Sequence, residues 1–242
     1  MNTEKLSDRL HKVAQFVPKG SKLADIGSDH AYLPCYLVKK GVIPFAVAGE
    51  VVDGPFQSAK RQVENERLAD VISVRLGDGL DVIEEGEVDC ITIAGMGGPL
   101  ITAILSRGKE KLKAVKRLVL QPNIAAVSIR KWLAEQGWEL IDEEIIKEDG
   151  KIYEILVAEK GEPYRLYGKN LEAELFLGPI LLRKKPEVFT QKWSTELKNW
   201  KKIYSRLEQA SQTVKSAEKK QELVKKINWV EEALKDEESK WS

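Results

Sequence analysis

The sequence predicts an α/β protein: a mostly parallel, seven-stranded sheet with helices on both faces, followed by a C-terminal α-helical domain. Three observations carry this. Over the first two-thirds, short apolar runs alternate with amphipathic stretches of helical period, the pattern of strand–helix units feeding a parallel sheet. Two strand-like runs then meet across Glu148-Asp149-Gly150, a hairpin signal that gives the sheet an antiparallel end. After Gly161 the apolar period becomes three and four, flanked by Lys and Glu, which predicts paired helices. The expected domains are residues 1–160 and 161–242.

The elements follow in order. An amphipathic helix around Leu6 to Phe16 precedes a first buried strand at Lys22–Ile26. "HAYLPCYLVKKG" reads as a helix ending at Gly41, and "PFAVAGEVV" as the second strand. "FQSAKRQVENERL" is a second helix of the sheet, with Ala59, Val63 and Leu68 near helical spacing. "ISVRLGDGL" and "VDCITIAGMGG" supply strands three and four; "RLVLQPN", after a helix near Pro99–Leu105, is the fifth. "AAVSIRKWLAEQGW" is a helix stopped by Gly137, and the hairpin follows. Beyond it, "LEAELFLGPILLRKKP" is a helix interrupted at Gly178-Pro179. Phe189, Trp193, Leu197, Trp200, Tyr204 and Leu207 then recur at steps of four, four, three, four and three. A second run continues through Val214, Ala217, Val224, Ile227 and Leu234, with a turn expected at Gln209–Thr213 and fraying at the last residues. The aromatics of these stripes are expected to pack helix against helix.

Composition excludes several classes. Hydrophobic residues make up 43% and charged residues 32%, which describes a water-soluble globular chain. No apolar run approaches the roughly 18 residues that span a bilayer. "MNTEKLSDRLHK" lacks the apolar stretch of a signal peptide, so a cytoplasmic protein is expected. Cys35 and Cys90 have no CxxC spacing and His11 and His30 are the only histidines, so no structural metal is expected. The net charge is +1, but residues 161–242 hold 17 basic and 13 acidic side chains. Within them, Arg183 to Arg206 holds eight basic residues and two acidic ones, an excess suited to an anionic partner.

Chemistry concentrates at strand ends. Gly27, in "DIGSDH", allows backbone N–H groups to approach a ligand at a strand-to-helix turn. Glu50 ends the second strand, where a carboxylate can accept from both hydroxyls of a ribose. Asp78, followed by Gly79 after the third strand, is placed to accept from an adenine amino group. "AGMGG", Ala94, Gly95, Met96, Gly97 and Gly98, leaves backbone uncovered beside a flat ligand. Solvated loop acids and ordinary turns are the alternative for each alone, but successive strand ends bearing all of them argue for a nucleoside site. A dinucleotide needs its pyrophosphate against backbone, and Asp29 would put negative charge there. S-adenosyl-L-methionine has no phosphate and carries a sulfonium, so Asp25 and Asp29 favour it.

These residues carry a resemblance. Arg9-Leu10 ahead of "LADIGSDHAYLP", then "GEV", "GDGL", "IAGMGG" and "LQPN", resembles the bacterial tRNA adenine-N1 methyltransferases of the TrmK type. It runs densely from about Leu6 to Glu159 and continues in the helical tail by architecture and the "LGP" of Leu177–Pro179. The resemblance implies a class I Rossmann-like methyltransferase domain and a coiled-coil-like helical domain. It implies methyl transfer from S-adenosyl-L-methionine to N1 of adenine 22, in the D-arm region of tRNA. Cofactor contacts are expected at Arg9, Asp25, Gly27, Glu50, Val51, Asp78, Gly79, Ala94, Gly95, Met96 and Gly97.

On the acceptor side, adenine N1 already bears its lone pair, so the chemistry needs orientation more than a base. Asp29, His30 and Asn123 are the candidate catalytic residues. Asp29 and His30 read equally as cofactor-rim groups and as a helix start, with Ser28 or Asp29 as N-cap, Ser28 the expected one, and His30 on the first turn. Asn123 reads as a base-edge contact or as a turn residue after Pro122. Arg9 reads as a contact to the cofactor carboxylate or an RNA phosphate, or as a surface ion pair. The target base has to be turned out of folded tRNA. Lys184, Lys185, Lys192, Lys198, Lys201, Lys202 and Arg206 are the candidate phosphate contacts, their alternative being a solvated helix face. No protein partner is implied.

Overall fold

Strands β1 (Lys22–Ile26), β2 (Phe45–Glu50), β3 (Ile72–Leu76), β4 (Cys90–Gly97), β5 (Arg117–Ile124), β6 (Trp138–Glu148) and β7 (Lys151–Lys160) form one sheet. Their order is β3-β2-β1-β4-β5-β7-β6. Strands β1 to β5 pair in parallel, and β7 pairs antiparallel with both neighbours. The last strand in sequence is therefore inserted between β5 and β6 rather than added at the edge. This computed structural model describes residues 2–209 and 214–238. Two units divide the chain, Met1–Leu166 and Tyr167–Ser242.

In the first unit the central strands are buried along nearly their whole length, as expected where helices cover both faces. Helices α1 (Asp8–Gln15), α2 (Tyr32–Lys39) and α3 (Asp53–Asn65) contact one another in succession, and α4 (Gly98–Arg107) packs on α5 (Ala126–Glu135). Ser7 caps α1 by accepting from Leu10 N–H, and α1 lies against β4 to β7, which brings Arg9 to the sheet. The β6–β7 hairpin turns on Asp149 (φ 49°) and Gly150 (φ 76°), the two left-handed residues that a type I′ turn requires.

A charge cluster lies inside this unit. Arg130 of α5 is fully buried and donates from Nε to Glu143 Oε1 at 2.6 Å and from Nη2 to Glu154 Oε2. Burial opposes its charge, but the two carboxylates outweigh that and hold the guanidinium above its usual range. The cluster fastens α5 to β6 and β7.

The second unit is helical: α6 (Leu171–Leu177), α7 (Pro179–Lys184), α8 (Glu187–Gln209) and α9 (Val214–Glu238). Gly178, at φ 92°, breaks α6 from α7, and Pro179 opens α7 at a position needing no N–H. Helices α8 and α9 contact each other. Lys201 pairs with Glu231, while Lys220 covers the Tyr204 ring, so the two helices run in opposite directions. The Phe176 ring sits 5.0, 6.0 and 5.7 Å from the Trp193, Trp200 and Trp229 rings, so the aromatic stripe packs inward. The expected turn lies outside the described residues from residue 210 on, as does the expected fraying at residues 239–242.

Candidate active site

The sheet changes direction of winding between β1 and β4, and the residues of interest stand at the C-terminal ends of the strands around that point. Gly27 leaves β1 at φ 71°, and its N–H donates to Gly49 O at 2.9 Å. Then Asp29 (φ 41°), His30 (φ 67°) and Ala31 (φ 55°) all adopt the left-handed region. Each such residue costs roughly 1–2 kcal/mol, and strain of this kind collects at functional loops.

That run delays α2 until Tyr32 and overturns the expected capping role of Ser28. Ser28 Oγ donates instead to Asp25 Oδ2 at 2.6 Å, and Thr92 Oγ1 donates to Asp25 Oδ1 at 2.6 Å. Asp25 is thus buried beneath the loop, and burial pushes its carboxyl up despite the two hydroxyls. Glu50 holds the loop from the side, its Oε1 accepting from Asp29 N–H at 2.5 Å. Burial also raises Glu50, opposed by that hydrogen bond and reinforced by Asp25 and Asp29. No donor among the described residues is bonded to Glu50 Oε2. Asp29 itself is 78% exposed at its side chain, 3.5 Å from His30 Nε2, and the His30 ring stacks on Tyr32 at 5.4 Å.

Val51, 62% exposed, provides an apolar surface directly after Glu50. Asp78 is engaged by Arg107 of α4 through two bonds, 2.6 and 3.2 Å, both side chains being open to solvent. Gly79 adopts φ 59°, and a Cβ there would stand 2.9 Å from Ile104 Cγ2.

At the end of β4 the pairing to β5 is irregular around Ala94, Met96 and Gly97. Gly95, at φ 82°, is held on both sides: its N–H donates to Gln121 Oε1 at 3.1 Å, and its carbonyl accepts from Asn123 Nδ2 at 2.7 Å. Arg9 Nη1 donates to the same Gln121 oxygen, and Arg9 N–H donates to Glu148 Oε1 at 3.2 Å. Its guanidinium lies 5.4 Å from the Tyr153 ring centre. Arg9 therefore braces the β4–β5 end through Gln121. A family model described as TrmK, tRNA (adenine(22)-N(1))-methyltransferase, matches residues 23–232.

The chain belongs to the TrmK family. It is 52% identical over 235 residues to the tRNA (adenine(22)-N(1))-methyltransferase of Bacillus subtilis, covering 97% of this chain and 99% of that protein. The crystal structure of the B. subtilis M1A22 tRNA methyltransferase TrmK superposes with a TM-score of 0.93 at 51% identity, covering 96% and 99% of the two chains. A putative tRNA (m1A22) methyltransferase of Streptococcus pneumoniae, solved in complex with S-adenosyl-L-methionine, gives 0.82 at 45% identity, covering 95% and 100%.

In this TrmK chain, Gly27, Glu50, Asp29, His30, Gly95, Met96 and Asn123 are grouped on the neighbouring strand ends of β2, β1, β4 and β5, while Asp78 follows β3. Sequence reading missed Gln121, Thr92, Tyr32 and Arg107. Gln121 had a signal, a lone amide inside the apolar run "RLVLQP". Arg107 had none, since its partner lies 29 residues away.

The seven basic candidates of the helical unit divide. Lys198, Lys202 and Arg206 are exposed on α8. Lys201 is committed to Glu231 at 2.6 Å, and Lys192 lies 4.6 Å from the Trp193 ring centre. Lys184 and Lys185 end α7 and line, with Lys201, a trough of about 1950 Å3 within the helical unit.

Proposed function

We propose that this chain transfers a methyl group from S-adenosyl-L-methionine to N1 of adenine 22 in tRNA. The cofactor lies over the C-terminal ends of β1, β2 and β4. The observation that carries this reading is the acidic surround of the Gly27 turn, Asp29 at the rim, Glu50 at its side and Asp25 buried beneath it. A pyrophosphate would be repelled there, whereas a phosphate-free cationic cofactor is favoured. Glu50 Oε2 accepts from ribose, Val51 covers one face of the adenine, and Asp78 accepts from the cofactor's amino group in competition with Arg107.

When bound, the sulfonium supplies an activated methyl group. The chain's own task is to align N1 with that methyl and to keep water and other nucleophiles away. N1 needs no deprotonation, so no side chain has to act as a base. The methylated ring is cationic, and Asp29, exposed at the rim, stabilises that charge. Asn123, fixed on Gly95, orients the base edge. Lys198, Lys202 and Arg206 meet tRNA phosphates, with Lys184, Lys185, Lys192 and Lys201 contributing to the same positive surface. A tRNA acceptor puts the working protein in the cytoplasm.

Incubation with methyl-labelled S-adenosyl-L-methionine and unmodified tRNA, followed by base mapping, tests this directly. Label at N1 of adenine 22 is expected. Label at another base, or cofactor binding without transfer to any tRNA, would sink the reading.

A further inference from the structure

We propose that Ile124 is the apolar seat on which the turned-out adenine rests, and that Asn123 Oδ1 accepts from the exocyclic amino group of that base. This rests on the reading of the chain as an adenine-N1 methyltransferase and assigns its acceptor pocket.

Ile124 is 70% exposed, more than any other large apolar side chain among the described residues. Leu100, in the first turn of α4, is 51% exposed. The Ile124 backbone is firmly held. Ile124 ends β5 in register with Gly97, and the following Ala125 turns back at φ 58°. A Cβ on Gly98 would lie 2.2 Å from Ala125 O, so the start of α4 and the end of β5 are in direct backbone contact. This corner holds Ile124 exposed to solvent beside Gly97, where a Cβ on the glycine would stand 3.8 Å from Ile124 Cγ1. An aliphatic side chain exposed on a rigid corner of the rim suits a flat uncharged ring.

Asn123 supplies the polar half. Its Nδ2 is committed to Gly95 O at 2.7 Å, which fixes the orientation of the amide and leaves Oδ1 as an acceptor. Adenine presents a donor, its amino group, beside the N1 lone pair. Accepting from that amino group holds the ring without touching the lone pair that attacks. Guanine presents a carbonyl oxygen there and a protonated N1, so the same acceptor rejects it.

The test compares the full-length wild type with Ile124→Ser, Ile124→Leu and Asn123→Ala. The substrates are tRNA carrying adenine at position 22 and tRNA carrying purine riboside there, which lacks the amino group. Ile124→Ser should lower kcat/KM for tRNA at least tenfold, Ile124→Leu should restore it, and cofactor affinity by calorimetry should stay within twofold in both. The wild type should prefer adenine over purine riboside at least fivefold, and Asn123→Ala should lose that preference. Turnover by Ile124→Ser within twofold of wild type overturns the seat, as does a parallel loss of cofactor affinity. An altered sedimentation coefficient with unchanged turnover would reassign the surface to a second copy of this chain. An Asn123→Ala enzyme that still prefers adenine overturns the amino contact. A wild type that leaves adenine 22 unmodified overturns the parent reading, and the seat falls with it.

Discussion

Met96 lies across Gly27: a Cβ built on the glycine would stand 2.3 Å from Met96 Cε. The obstruction is the far end of a flexible side chain, which can move. The φ of 71° at Gly27 cannot be relieved in that way, because it sets the direction of the whole loop. Gly27→Ala is therefore expected to cost of order 1–2 kcal/mol through the backbone and to weaken cofactor binding about tenfold. Adding Met96→Ala should not rescue it. Calorimetric titration with the cofactor checks both; rescue by the second change would place the cost in the side-chain contact.

Glu50 makes a pH-dependent prediction. Burial raises its carboxyl, as it does that of Asp25, so both groups are easier to protonate folded than unfolded. A raised carboxyl contributes stability that is fully present below the unfolded pKa, near 4, and is lost as pH rises through the folded pKa. Ionisation of Glu50 as pH rises thus destabilises the ligand-free fold. Glu50→Gln is expected to raise Tm at pH 7, with the gain shrinking toward pH 4, while cofactor affinity falls about tenfold for the lost charge-assisted hydrogen bonds. Thermal melts across that range, with and without cofactor, separate the two effects.

Asp78 and Arg107 form an exposed bidentate pair, and exposed pairs contribute little to stability, commonly under about 1 kcal/mol. Asp78→Ala should leave Tm within a degree or two of wild type and weaken cofactor binding, with tRNA affinity nearly intact. Arg107→Ala should instead free the Asp78 carboxylate and leave cofactor affinity equal or improved. Equal losses in the two variants would mean that the pair itself, rather than the carboxylate, is what the cofactor uses.

The Arg130 cluster is the opposite case. Removing the guanidinium that two buried carboxylates are bonded to typically costs about 3–5 kcal/mol. Arg130→Ala is expected to lower Tm by many degrees. Protein still folded at low temperature should keep its cofactor affinity, since the cluster fastens α5 to the hairpin, elements other than the Gly27 loop. A variant of normal Tm would show that the carboxylates take up protons at little cost.

The strand ends bearing Gly27, Glu50, Asp78 and Gly95 were legible because strands buried on both faces read as apolar runs, and their glycines and acids interrupt those runs. The hairpin was legible through Asp149-Gly150, two residues that tolerate left-handed backbone. The place of β7 was not, because insertion beside β5 depends on partners far apart in sequence, such as Arg117 with Glu159. The left-handed run at Asp29, His30 and Ala31 was not legible either. Asp and His tolerate that conformation better than most residues but Ala does not, and a run of three is rare, so local sequence points to a helix starting earlier and to a cap at Ser28. Tertiary bonds from Glu50 and Asp25 hold the loop against that preference.

Lys198 and Lys202 stand one helical turn apart on α8, exposed and without an acidic partner among the described residues. If they neutralise tRNA phosphates, their charge enters binding through released counterions, and each contact contributes about 0.9 to the slope of log K against log salt on a duplex. The double change Lys198→Glu and Lys202→Glu is expected to raise KM for tRNA more than tenfold and to flatten that slope by about 1 to 2. Cofactor affinity and Tm should stay close to wild type, because neither lysine holds the helices together. A weakened KM with an unchanged salt slope would locate the defect in helix packing and move the phosphate contacts elsewhere on the chain.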